Sequence, residues 1–128
     1  IENKRELQGQ VLALFKLYEN RYSALVDIYK TFAHHLFSTS QFFLSMEIGL
    51  IFLNKTMEEG SRQQLSEVLG NLALTYRCLG DLDKALELHQ SEEALCKELG
   101  DIEGLAASYG NQAVIMQKMK KLNKLKLR

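Results

Sequence analysis

The side chains with the most chemistry to offer are three histidines and two cysteines, and their spacing limits what they can do. His34 and His35 are adjacent, so on a helix they point to different faces and do not share a metal readily. His89 and Glu93 are four residues apart, which would set an imidazole and a carboxylate on one helix face, a pair able to hold a divalent ion weakly. No third ligand is evident, and a surface pair is the simpler reading. Cys78 and Cys96 lack the close spacing of a redox or zinc-binding pair. Both lie beside leucines in helical patterns and read as free, mostly buried thiols of a reducing, cytoplasmic compartment. Neither a phosphate-cradling Gly-x-x-x-x-Gly-Lys-Ser/Thr run nor a nucleophile elbow occurs. The sequence thus offers no catalytic constellation, no metal centre and no cofactor site, and the expectation is that the chain is not an enzyme.

What it does offer is the means to hold a shape. Of its 128 residues, 46% are hydrophobic and 25% charged, sufficient for one domain with a core. Sixteen basic and sixteen acidic side chains cancel, which removes any global attraction to nucleic acid or an anionic membrane. The charge is nevertheless segregated. Asp81 to Glu103 holds eight acids against two bases, and Lys118 to Arg128 holds six bases and no acid. Solvated outer faces explain this most simply, and opposite-sign ends would also favour head-to-tail self-association. The most apolar run, Phe42 to Leu53, is 12 residues long and includes Glu47. It is too short to cross a bilayer and suits a buried helix. The chain opens Ile1-Glu2-Asn3-Lys4 and closes inside a basic helical pattern, as a piece of a longer protein would.

Self-similarity decides the architecture. Gly70-Asn71-Leu72-Ala73-Leu74 recurs as Gly110-Asn111-Gln112-Ala113-Val114, an offset of 40. Carried onward, Tyr76 pairs with Met116, Leu79 with Met119 and Leu82 with Leu122. Run backward, Ala73 falls on Ala33, Tyr76 on Leu36 and Leu86 on Met46, while Gly100 falls on Gly60 and Gly60 on Asn20. Gly and Asn both accept the left-handed backbone that ends a helix. Each unit divides again, because Leu79-Gly80-Asp81 recurs as Leu99-Gly100-Asp101; glycine ends one helix and aspartate caps the next. Leu65, Val68, Leu69, Leu72, Ala73, Tyr76 and Leu79 keep helical spacing, as do Leu82, Ala85, Leu86 and His89. The pattern predicts helices near 3–19, 21–38, 41–58, 62–79, 82–98 and 102–119, with a seventh starting near 122. The fold class expected is all-α, an α-solenoid of six to seven helices in antiparallel hairpins. Residues 1–20 would be a helix of a preceding repeat or a cap, 21–60 a degenerate repeat rich in phenylalanine, 61–100 a clear repeat and 101–128 a partial one.

The run from Leu69 to Leu86 resembles a tetratricopeptide repeat (TPR). Leu69, Leu72, Ala73, Tyr76, Gly80-Asp81, Leu82 and Ala85 fit the family pattern of large, Leu, small, aromatic, turn, Leu and Ala. The period of 40 resembles the long repeats of kinesin light chains and nephrocystin-like proteins. Glu92 departs from the pattern, standing where the family has a small residue, and the closing proline is missing. The resemblance implies a TPR-like superhelix in which the first helix of each pair lines a concave face, and an Asn there meets the backbone of a bound peptide, an amide offering both donors and an acceptor. It carries that role onto Asn71 and Asn111. Helical steps extend the stripe to Leu74 and Arg77, to Val114, Gln117 and Lys118, and to His34 in the first unit. A clamp for a peptide's C-terminal carboxylate would need a Lys and an Asn where Gly70 and Leu74 stand, so a mixed polar and apolar segment is the expected ligand. The function implied is a scaffold that binds a protein or peptide partner. Alternatives are a structural spacer or self-association domain, and a regulatory repeat beside a nucleotide-binding switch.

Overall fold

A computed structural model describes residues 2–17 and 22–126. The described residues form six α-helices and no strand: α1 Glu2–Leu17, α2 Tyr22–Ser38, α3 Phe42–Glu59, α4 Arg62–Leu79, α5 Leu82–Leu99 and α6 Ile102–Lys126. From α2 onward each helix packs on the next, and α1 reaches α3 as α2 reaches α4. That alternation is the α-solenoid expected from the 40-residue period.

The turns carry the repeat most faithfully. Gly80 and Gly100 both adopt a left-handed conformation. After them the N–H of Asp81 donates to Tyr76 O at 3.0 Å and that of Asp101 to Cys96 O at 3.0 Å, which satisfies carbonyls the helix ends leave open. Asp81 then caps α5 by accepting from the Lys84 N–H. The same turn occurs forty residues earlier, where Gln41 N–H donates to Leu36 O at 2.8 Å. There Ser40 takes the left-handed position with φ 58, and Gln41 supplies no side-chain cap. The first unit thus keeps the turn and loses its best residues. Ser40→Gly combined with Gln41→Asp is expected to raise the unfolding free energy by about 1–2 kcal/mol. The check is a higher urea midpoint at unchanged slope; an unmoved midpoint would count against this account of the turn.

Two expectations are corrected at helix ends. Gly60 is extended, with φ −86 and ψ 166, not left-handed, because Ser61 immediately begins α4 with a capping box to Gln64. Asn20 lies outside the described residues. The seventh helix near 122 is absent among the described residues: α6 runs unbroken for 25 residues. Lys120 and Lys121 stand forty positions after Gly80 and Asp81, so both the left-handed residue and the cap are missing and two good helix formers continue the helix.

The core has two parts. Val11, Tyr29, Ala33, Leu36, Leu44, Ile48, Phe52 and Val68 fill the space among α1 to α4. Leu69, Leu72, Ala73, Leu88 and Leu95 join α4 to α5, with Met46 and Leu50 of α3 packed against them. Gly49 is the tight point between the two. A Cβ there would lie 2.7 Å from Leu72 Cδ1 and 3.2 Å from the Tyr29 hydroxyl, so α3 approaches both α2 and α4 only because it carries no side chain at that position. The phenylalanines of the first unit are used in three ways. Phe52 stacks on Tyr29 at 4.6 Å, Phe42 meets Phe37 edge-on at 5.3 Å, and exposed Phe43 receives the Lys4 ammonium 3.9 Å above its ring. Burial pushes the Tyr29 phenol well above its ordinary range.

The α4 face bearing Leu69, Gly70 and Ala73 is buried. Forty positions on, Tyr109, Gly110 and Ala113 of α6 are exposed, because no described helix lies against them as α5 lies against α4.

Candidate functional site

The seam from α4 through α5 to α6 is polar where a solenoid core is usually greasy. His89 is wholly buried, and its Nδ1 lies 2.9 Å from Glu92 Oε1. The other Glu92 oxygen rests against Gly70, in the place a Cβ would need. On the α6 side, Ser108 Oγ donates to His89 O at 2.9 Å, and Gln112 Nε2 donates to Glu93 Oε1 at 3.0 Å. Glu93 also accepts from Lys97 Nζ at 2.8 Å. The Lys97 bond, then the Gln112 bond, hold its carboxyl below the usual range, and the bond to Glu93 is the main reason Lys97 lies above its own. His89 and Glu93 are therefore not a surface pair. The imidazole lies on the apolar stripe with Ala85 and turns to Glu92, while Glu93 faces Lys97 and α6. Among the described residues no group of three His, Cys, Asp or Glu could hold a metal. The polar seam joins helices, and its buried groups reach no open surface.

The open surface lies elsewhere. A groove of about 340 Å³ is lined by Arg77 and Gly80 at the end of α4, Leu82 at the start of α5, and Lys118, Lys121 and Leu122 of α6. It arises because α6 continues past the point where α4 turns back, so the last turns of α6 stand opposite the α4–α5 turn. Of the residues expected to bind a peptide, the groove brings together Arg77 and Lys118. Leu82, Lys121 and Leu122 join them, and sequence reasoning passed these over.

The remaining expected residues are placed as follows. Asn71 is half-buried and donates through Nδ2 to Glu67 O at 3.0 Å, which ties the amide locally and leaves its carbonyl oxygen available. Leu74 is half-buried, as is Asn111, and Val114 is 40% exposed. Gln117 is exposed and does not line the groove. His34 is exposed on α2; its neighbour His35, with Asp27, Ile28, Thr31 and Phe32, lines a shallow depression there. Both cysteines are free, but only Cys96 is buried; Cys78 is exposed, because α4 turns it away from both neighbours. No described helix is long and apolar enough to cross a membrane.

No family model matches this chain, and no curated protein matches it in sequence. A solved structure does. The crystal structure of BtubC (BKLC) from P. vanneervenii, a kinesin light chain-like protein, superposes with a TM-score of 0.70 at 20% identity over 95% of this chain. The chain spans about half the length of that structure, 50% of which is matched. The likeness is one of fold, a TPR-like helical repeat.

Proposed function

We propose that the chain is a non-catalytic interaction module of a longer cytoplasmic protein, holding a peptide segment of a partner along α4 and α6. The observation that carries this reading is the groove itself. Two first-of-pair helices, α4 and α6, supply its walls, and its floor is held by helix packing and capped turns, so binding costs little ordering of the receptor. Asn71 and Asn111 lie forward of the groove on the same two helices and would fix the peptide backbone, with Leu74 and Val114 beside them for apolar side chains. The kinesin light chain-like fold supports a protein partner and does not specify which.

Asn71→Ala with Asn111→Ala is expected to weaken partner binding by about tenfold or more while far-UV circular dichroism stays unchanged. Unchanged binding would favour the spacer reading. That reading draws on one observation, the bond from Asn71 to Glu67 O, which gives the amide a local role.

A further inference from the structure

We propose that the α4–α6 groove selects an anionic side chain, a carboxylate or a phosphate, carried by a peptide next to an apolar residue. This rests on the peptide-binding reading above and adds the chemistry of the ligand.

The argument begins with where charges are left unpaired. Six bases of α1 to α5 find acids: Lys4 meets Glu47, Lys30 meets Glu67, Lys55 meets Glu59, Arg62 meets Glu98, Lys84 meets Glu87 and Lys97 meets Glu93. Arg77, Lys118 and Lys121 have no such partner among the described residues, and they line one groove that holds no carboxylate. The sequence explains why. No acid follows Glu103, so the lysines of α6 have no carboxylate one turn away to neutralise them. Three cations held together without a counter-charge repel one another, and an incoming anion relieves that repulsion. Arg77 can grip a carboxylate or phosphate with two parallel N–H donors, and the lysines add point charge. The backbone cannot do this work, since the Gly80 N–H already donates to Arg77 O.

The same groove has an apolar side. Leu82 is half-buried and Leu122 is 49% exposed, a seat for one apolar side chain of the ligand. Direction follows from what lies beyond these leucines. A second depression shares Gly80, Leu82 and Leu122 but sets Asp81 and Asp83 against the single base Lys126, so its lining is acidic on balance and favours an anion less. The ligand's acid is thus directed to the Arg77 side, where three bases face no carboxylate. The geometry differs from a grip on a chain end, whose residues are missing at Gly70 and Leu74.

The test is fluorescence polarisation of the full chain with pools of capped nonapeptides carrying a fixed Leu beside one test position: Glu, phosphoserine, Gln or Lys. Preference for the Glu or phosphoserine arm by about tenfold, lost as salt is raised and reversed toward the Lys arm in Lys118→Glu/Lys121→Glu, is the expected result. Both lysines are exposed, so the fold should survive, which circular dichroism verifies. Glu alone identifies a carboxylate ligand and phosphoserine alone a phosphorylated one. Equal binding of all four arms, no binding of any, or a preference unmoved by charge reversal overturns the proposal. If the asparagine pair still controls capture of a partner in that case, the interaction reading stands without this one.

Discussion

Leu72→Ala is expected to lower the unfolding free energy by about 3 kcal/mol and the melting temperature by roughly 10 °C. Leu72 is fully buried and lies where α3, α4 and α5 meet, so no flexible surface group can collapse into the space it leaves. Its Cδ1 sits against the open backbone of Gly49, which gives the prediction a second half. In the wild-type chain Gly49→Ala would push a methyl to 2.7 Å from that carbon, offsetting the gain of about 1 kcal/mol that alanine brings to a helix interior. With Leu72→Ala the closer obstruction is gone and only the Tyr29 hydroxyl at 3.2 Å remains, so Gly49→Ala should then cost clearly less than it does in the wild-type chain. A double-mutant cycle by urea unfolding reads that coupling directly. Additive effects would mean that the two helices do not meet at this point.

Gly70→Ala is expected to destabilise the chain by about 1–3 kcal/mol even though it replaces a helical glycine. The new methyl would occupy the place of the Glu92 carboxylate. That carboxylate is not free to swing away, because the buried His89 Nδ1 holds its other oxygen at 2.9 Å. Glu92→Ala removes the obstruction but strands His89, whose Nε2 already has no partner among the described residues, at a cost of about 1–3 kcal/mol. The double variant should therefore be clearly more stable than the sum of the two losses, by about 1 kcal/mol or more. Simple additivity in chemical denaturation would show that Gly70 and Glu92 are independent.

That pair also shows what the sequence could and could not disclose. Glu92 stands out as a large acid where a TPR has a small residue, and this is visible without coordinates. The compensation is not visible, because the small residue that makes room, Gly70, is on the other helix. His89 lies in the apolar stripe of α5, and that signal outweighs the carboxylate four residues on; the pairing suggested by spacing alone points to the wrong glutamate. The unbroken α6 was legible in principle. Following the 40-residue offset through caps as well as apolar positions sets Lys120 and Lys121 on Gly80 and Asp81, and the helix has no reason to stop. The groove was half legible. Arg77 and Lys118 follow from the stripe, but Leu82, Lys121 and Leu122 join them only because α6 overhangs the α4–α5 turn, and a repeat length does not encode that separation.

Where a bound segment lands is the most direct test of the account. The chain, isotope-labelled and titrated with the tightest-binding peptide of the acidic pools, should show amide chemical-shift changes grouped on α4 and α6, around Asn71, Arg77, Asn111, Val114 and Lys118. Changes confined to α3 and the outer side of α5, with α4 and α6 silent, would contradict it.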